Sequence, residues 1–424
     1  MFTQKKFSNG LRLIVSPVPS TKAVTVLVLV GAGSRYESQR ERGIAHFLEH
    51  MFFKGGERFS TPREVSETID TIGGDFNAYT GKEYAGYYIK CASEKKEVAF
   101  DVLGDMLLNT KLDENDIARE RGVILEELNM YEDTPMYQIG WDFEKLLFGD
   151  TPMGRDQIGL PENIRSFSPD DFRAYRADLY TPDNTVLIVS GDISFAEAEA
   201  LTKTFFPFPA TKKNRTAEQV AEFSEEKYIE IRTKKTEQAH LVIGFPGLPF
   251  GHADEFAVRL LAILLGGNMS SRMFLHVREK LGLCYSISTS TDHYSDVGVI
   301  STHAGVDVSR VPEAITAIMH EYRSMAECGV EEKELEKAKS YLKGKLVLRM
   351  EDSEEIASFL GVQAMLRGEI FPLETLFEKI ERVSSADIMR VARNIFLSHL
   401  PRLALIGSFA GREEEFLHLL HEKN

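Results

Sequence analysis

Residues 43–56 read GIAHFLEHMFFKGG, an apolar stretch that contains two histidines and one glutamate. Burying a polar side chain without a partner costs roughly 2–7 kcal/mol, so His46, Glu49 and His50 need a partner. On a helix of about 3.6 residues per turn, His46 and His50 lie one turn apart on one face, with Glu49 beside them. The stretch therefore predicts a helix that presents two imidazoles and a carboxylate together.

Two imidazoles placed in this way can bind one metal ion. Zinc in catalytic sites takes three protein ligands and a water, and histidine nitrogens bind it at about 2.0–2.1 Å. A carboxylate between the histidines can accept a proton from that water, whose pKa zinc lowers to about 7. The alternative is a set of ordinary polar groups on an amphipathic helix. We favour the metal because the surrounding run is apolar.

The composition limits the classes of protein and partner. A chain of 424 residues predicts two or more domains, and 43% hydrophobic with 27% charged residues is typical of a globular protein. The net charge of −15 argues against nucleic acid and anionic membranes as partners. The three cysteines show no motif spacing, which fits a reducing compartment.

The N-terminal sequence MFTQKKFSNGLRLIV has no apolar signal region, and the apolar run at 23–33 is too short to span a bilayer. We therefore expect a cytoplasmic protein, and a mature organellar matrix protein would fit equally well. Residues 10–19 and 21–30 have the pattern of two strands around a Pro/Ser turn, which predicts a hairpin.

The second half of the chain repeats the pattern of elements of the first. TVLIVSGDI closes the first half as PRLALIGSF closes the second, and a polar stretch with prolines lies between them. We predict an α+β protein with two homologous domains, each a mixed or antiparallel sheet with helices packed on it. The predicted bounds are 1–210 for a zinc-binding domain, 211–230 for a linker and 231–424 for a domain that lacks the histidine motif.

His46-Phe-Leu-Glu49-His50 has the form H-x-x-E-H, the inverted zinc motif of the inverzincins. Further characteristic segments, in the order of the chain, are NGLRLIV, GSRYE, GGDFNAYT, ERGVILEEL, GGNMSSRMFLHVREKLGLCYS and GVQAMLRGEIFPLE. Over nearly its whole length the chain resembles the pitrilysin-like (M16-type) zinc metallopeptidases. It is most similar to their short members, akin to the mitochondrial processing peptidase β subunit and bacterial processing proteases. The resemblance implies the duplicated fold of that family.

The resemblance also implies roles for residues around one zinc ion per chain. The metal ligands fall on His46, His50 and Glu127, and the general base falls on Glu49. Glu120 falls on a glutamate that supports the ligands; otherwise it is a solvated helix charge.

Helix phase also favours Glu127 over its neighbour Glu126. At about 100° per residue, Glu127 lies within a predicted apolar stripe formed by Val123, Ile124 and Tyr131. A carboxylate on an inward face is costly unless a cation meets it. The alternative to a zinc ligand is a buried ion pair with an arginine.

Three further residues acquire roles from the resemblance. Asn77, in DFNAYT, falls on an edge strand along which substrates of the family bind. Arg278 and Tyr285 fall on a pair from the second domain that binds substrate and stabilises the oxyanion. Without the resemblance, Asn77 reads as a turn residue, Arg278 as a surface charge and Tyr285 as a core residue.

These residues predict a zinc metalloendopeptidase that hydrolyses peptides or unfolded, presequence-like segments inside a dimeric chamber. Because the motif and the Arg278/Tyr285 pair occur in one chain, a homodimer is expected. The alternative is a non-catalytic structural or binding subunit of a processing-peptidase-like heterodimer. Degenerate motifs mark such subunits, and here the motif is intact.

Overall fold

The structure is a computed structural model that describes residues 2–220 and 223–421. The chain forms two compact units, each with its own mixed β-sheet and helices packed on it. The predicted α+β class with two domains is therefore confirmed. The first unit comprises the residues up to Asn129, Arg155–Glu218 and Val347–Phe371; the second comprises Met130–Gly154, Gln219–Leu346 and the residues from Pro372 onward.

The strands of the first unit are β1 (Thr3–Lys6), β2 (Arg12–Pro17), β3 (Ala23–Val30), β4 (Asp75–Thr80), β5 (Ala85–Ala92) and β6 (Thr185–Gly191). Those of the second unit are β7 (Ile229–Thr233), β8 (Gln238–Gly247), β9 (Cys284–His293), β10 (Gly298–Asp307) and β11 (Arg402–Gly407).

The α-helices of the first half of the chain are α1 (Ile44–Phe52), α2 (Pro62–Thr71), α3 (Lys96–Asn109), α4 (Glu114–Asp133), α5 (Pro135–Phe148), α6 (Pro161–Ser166), α7 (Pro169–Leu179) and α8 (Phe195–Phe205). Those of the second half are α9 (Glu255–Gly266), α10 (Val311–Cys328), α11 (Glu332–Arg349), α12 (Ser353–Val362), α13 (Leu373–Glu381), α14 (Ser385–Phe396) and α15 (Glu413–His421). Two π-helical segments cover Phe274–Lys280 and Gln363–Arg367.

The first sheet has the strand order β1-β2-β6-β3-β5-β4. The predicted hairpin of residues 10–19 and 21–30 is wrong, because β6 lies between β2 and β3. β6 is buried at every position and pairs with β2 in parallel and with β3 in antiparallel orientation. β4 and β5 do form a hairpin, with Asn77 opposite Tyr88, and β4 is an edge strand.

In the described part of the chain, the second sheet repeats this topology without a counterpart of β1. Its order is β7-β11-β8-β10-β9, with a parallel β7–β11 pair and an antiparallel β11–β8 pair. β9 takes the edge position that β4 has in the first sheet. The matching order of strands supports a duplicated domain.

Each unit includes an α-helix from the opposite half of the sequence. In the first unit, α12 packs on β3 and β6, where Ile356 and Leu360 join the core around Leu27 and Ile188. In the second unit, α5 packs on β8 and β11 through side chains that include Phe143. The compact units therefore differ from the predicted continuous domains in the segments that carry these two helices.

The predicted linker, 211–230, includes residues 221 and 222, which lie outside the described residues. Its first part is bound to the first unit, because Arg215 pairs with Glu41 and with Asp178, at 2.9 Å in each case. Among the described helices, none combines the length and the apolar character that crossing a membrane requires.

Candidate metal centre

Helix α1 separates its apolar and polar residues cleanly. Six of its nine side chains are buried in the core of the first unit: Ile44, Ala45, Phe47, Leu48, Met51 and Phe52. The three others, His46, Glu49 and His50, are half-buried. The apolar residues thus anchor the helix in the core and leave the polar residues together on the remaining face.

Helix α4 brings Glu127 to both histidines. Its Oε2 lies 3.7 Å from Nε2 of His46 and 3.5 Å from Nε2 of His50. Ligands at about 2.0–2.1 Å around a tetrahedral ion lie about 3.3–3.4 Å from one another. Among the described residues, His46, His50 and Glu127 form a group of three potential metal ligands. Their ligand atoms all lie within 4.8 Å of one another. Two imidazole nitrogens and one carboxylate oxygen fit the ligand set of catalytic zinc.

Glu120 and Lys54 support this arrangement from behind His50. Nδ1–H of His50 donates to Oε1 of Glu120 at 2.9 Å, and Nζ of Lys54 lies 2.5 Å from Oε2. A carboxylate on Nδ1 fixes the tautomer that leaves the lone pair of Nε2 free for a metal. In the described residues, the buried Nδ1 of His46 has no such partner.

The electrostatics distinguish the two histidines. Burial and the nearby His50 lower the pKa of His46 to about 4. Burial also lowers the pKa of His50, but its hydrogen bonds to Glu120 and Glu127 outweigh this and raise the value to about 9. A hydrogen bond from His50 lowers the pKa of Glu127. Two carboxylates therefore favour a positive charge at His50, and a metal ion would take the place of its proton.

Glu49 lies beside this cluster and interacts electrostatically with His50 and Glu127. Its Oε2 accepts a hydrogen bond from Oγ1 of Thr80, at the end of β4, at 2.5 Å. Burial raises the pKa of Glu49, and the Thr80 hydrogen bond opposes this. A carboxylate with a raised pKa beside a metal-bound water is suited to act as a general base.

Thr80 and Lys54 were not identified from the sequence. Thr80 lies in the same DFNAYT segment as Asn77, and the alternation of a strand gives these two side chains opposite faces. Asn77 is exposed on the edge strand, and its Oδ1 accepts the backbone N–H of Ala78 at 2.9 Å. Its predicted role in substrate binding stays a prediction.

Arg278 and Tyr285 both belong to the second unit. The guanidinium carbon of Arg278, in the π-helical segment, lies 4.4 Å from the centre of the Phe274 ring and 6.0 Å from that of Tyr285. Tyr285 is at the start of the edge strand β9, and 77% of its surface is exposed. The two side chains therefore lie near each other, and their roles in substrate binding and catalysis stay predictions.

Two family models match the chain. Residues 12–146 match "Insulinase (Peptidase family M16)", a range that contains the cluster of His46, His50 and Glu127. Residues 166–342 match "Peptidase M16 inactive domain", a range that contains Arg278 and Tyr285.

Similar proteins align with this chain over nearly its whole length. The "Uncharacterized zinc protease YmxG" of Bacillus subtilis is 37% identical over 399 residues, 94% of this chain and 96% of the relative. An "Uncharacterized zinc protease" of Streptomyces coelicolor is 32% identical over 416 residues, which cover 97% of this chain and 90% of the relative.

Two solved structures have the same fold. A protease from Helicobacter pylori superposes with a TM-score of 0.87 at 21% identity, covering 96% of this chain and 99% of the other. A structure described as a peptidase M16 inactive domain, from Pseudomonas fluorescens, superposes with a TM-score of 0.86 at 19% identity. The match covers 96% of this chain and 98% of the other.

Proposed function

The chain belongs to peptidase family M16, and we propose that it is a zinc-dependent endopeptidase acting on peptides or unfolded, presequence-like segments. The observation that carries the proposal is the convergence of two imidazole nitrogens and one carboxylate oxygen, with Glu49 beside them. The relatives that are named zinc proteases support the same assignment.

A zinc ion held by His46, His50 and Glu127 would lower the pKa of a water molecule to about 7 and polarise the peptide carbonyl. Glu49 accepts a proton from the attacking water at Oε1, because Oε2 already accepts the hydroxyl of Thr80. The carboxyl group then donates this proton to the nitrogen of the leaving amine.

We assign the remaining predicted residues to the substrate. The hydroxyl of Tyr285 and the guanidinium of Arg278 stabilise the negative charge that develops on the carbonyl oxygen. Asn77 binds the backbone of a substrate that lies along β4 as an added strand. We further propose that two copies of the chain assemble as a homodimer and enclose the substrate in a chamber.

The purified protein tests this function directly. Elemental analysis should give one zinc ion per chain, and a library of quenched peptides should be cleaved at internal bonds. A chelator should stop cleavage and added zinc should restore it. A folded protein that holds zinc but cleaves nothing would instead favour a non-catalytic subunit. Light scattering measures the oligomeric state in the same samples.

Changing Thr80 to valine should lower kcat by about tenfold to hundredfold while zinc content stays at one per chain. A hydrogen bond to a charged group contributes about 1.5–3 kcal/mol, and here it orients the proposed general base. Loss of this bond also raises the pKa of Glu49, so the acid limb of kcat/KM should move to higher pH. Thr80→Ser keeps the hydroxyl and should restore both values. Equal activity of the Val and Ser variants would contradict this role.

Changing Tyr285 to phenylalanine should lower kcat by about 10²-fold, the effect of removing one oxyanion donor, and should change KM little. The zinc content should not change, because Tyr285 is not a proposed ligand. Tyr137→Phe, at another exposed tyrosine of the second unit, serves as the control and should leave both constants unchanged. A change in KM alone would mean that Tyr285 only binds substrate.

A further inference from the structure

Helix α1 begins without a cap from its own N-cap residue. That residue is Gly43, whose φ of 95° lies in the left-handed region. A Cβ atom at this position would lie 2.1 Å from the carbonyl oxygen of Ile158. The serine, threonine or aspartate that commonly caps a helix is therefore excluded here, although the first N–H groups still need acceptors.

Glu37 supplies these acceptors from six residues upstream of Gly43. Its Oε2 accepts the backbone N–H of Gly43 and its Oε1 accepts that of Ala45, both at 2.9 Å. The Glu37 side chain is buried, with 5% of the residue exposed. A carboxylate at a helix N-terminus also interacts favourably with the helix dipole.

The segment that carries Glu37 is bound to the turn after β4. The backbone N–H groups of Ser34 and Arg35 donate to the carbonyls of Gly81 and Lys82, at 3.2 and 2.9 Å. The buried guanidinium of Arg35 pairs with Glu83 at 2.7 Å. This segment therefore connects the first turn of α1 to the end of β4. Helix α1 carries Glu49, and the end of β4 carries Thr80, which donates a hydrogen bond to Glu49.

His46 is the third residue of α1, so it lies within the turn that Glu37 holds. α1 has nine residues, and helices this short are marginal unless their surroundings hold them. We propose that Glu37 is a positioning residue of the metal centre: its two backbone hydrogen bonds fix the first turn of α1 so that His46 and His50 converge on Glu127. This inference rests on the zinc site of the proposed function.

The test compares Glu37→Gln with the wild-type protein. Glutamine has the same shape, but its NH₂ group would face one of the two backbone N–H donors. We expect zinc to bind about tenfold more weakly in competition with a chelator, as the loss of a helix cap implies. The visible spectrum of the cobalt-substituted protein should also change, because it reports the ligand geometry. The measurements are made about one unit above pH 8, because burial raises the pKa of Glu37 to about 8 and the carboxylate form then predominates.

Glu41→Gln is the matched control. Glu41 belongs to the same segment, but it bonds Ser38 and Arg215, and the variant should keep the zinc affinity and the cobalt spectrum. A Glu37→Gln protein with a lower melting temperature but unchanged affinity and spectrum would overturn the inference, since Glu37 would then be only structural. If this variant does not fold, Glu37→Asp replaces it, because it keeps the charge and shortens the reach. Failure of both to fold would make Glu37 a folding determinant and overturn the narrower role.

Wild-type controls separate this inference from the proposed function. If the wild-type protein binds zinc but cleaves no peptide, the peptidase assignment fails and the role of Glu37 can still hold. If it binds no zinc, both fail. If it binds zinc and cleaves peptides, and Glu37→Gln binds zinc equally well with the same cobalt spectrum, only the inference fails.

Discussion

Glu127→Gln is expected to remove most of the zinc and, with it, the peptidase activity. The carboxylate oxygen lies within 3.7 Å of Nε2 of both histidines, and an amide oxygen is a weaker, uncharged ligand. Changing a residue that only supports a ligand typically costs 10–100-fold in metal affinity, so losing a ligand should cost about 10²-fold or more. Zinc affinity is measured by competition with a chelator, and activity is measured with added zinc.

Glu126→Gln is the matched control, since it makes the same chemical change one residue earlier on α4. Glu126 is exposed and does not belong to the cluster of His46, His50 and Glu127. Its variant should keep both zinc and activity. If Glu126→Gln lost the zinc and Glu127→Gln kept it, the ligand assignment would be off by one residue.

The position of Glu127 shows how far helix phase can be taken from the sequence. The predicted stripe counted Val123 as apolar and inward, but 51% of Val123 is exposed. The buried side chains of α4 are Ile117, Glu120, Ile124 and Leu128, of which Ile124 was in the predicted stripe. Glu127 lies next to these buried side chains, is half-buried and belongs to the cluster with His46 and His50, whereas the predicted stripe was partly misplaced. An apolar side chain that remains in solvent cannot be recognised from periodicity alone.

Two features of the first unit follow from residues that are close in sequence. Thr61 accepts the N–H of Glu64 at 3.1 Å and Pro62 opens α2, as a threonine followed by proline predicts. β4 and β5, which follow each other directly in the chain, also pair as a hairpin. Both features depend on residues that are close in sequence, so their side chains and turns determine them.

Non-local pairing could not be predicted in the same way. β2 and β3 have the pattern of a hairpin, but β6 separates them, and it comes from more than 150 residues later in the chain. Likewise, the apolar face of α5 shows that the helix needs a partner but does not say which sheet provides it. Thr80 shows the same limit of the sequence. Its strand could be predicted, but its hydrogen bond to Glu49 depends on where α1 packs.

Glu49→Gln is expected to lower turnover by orders of magnitude while the protein keeps its zinc. Glu49 is not one of the three clustered ligands, and the amide oxygen of glutamine can still accept the hydroxyl of Thr80. The fold and the metal should therefore be unchanged, whereas an amide cannot accept and return a proton. Losing a general acid–base group lowers kcat by about 10²–10⁴-fold. Elemental analysis and single-turnover cleavage of a quenched peptide measure the two properties separately.

Glu49→Asp provides the comparison within the same site. It keeps a carboxylate but withdraws it by one methylene, so it should retain zinc and show a turnover between those of the wild type and the glutamine variant. Near-normal activity of a zinc-loaded Glu49→Gln protein would contradict the role of Glu49. Together with Glu127→Gln, the comparison separates holding the metal from moving the proton: one variant should lose both properties, and the other only turnover. A protein in which both variants lost zinc would have a metal centre that includes Glu49 as a ligand, and its proton acceptor would have to be another residue.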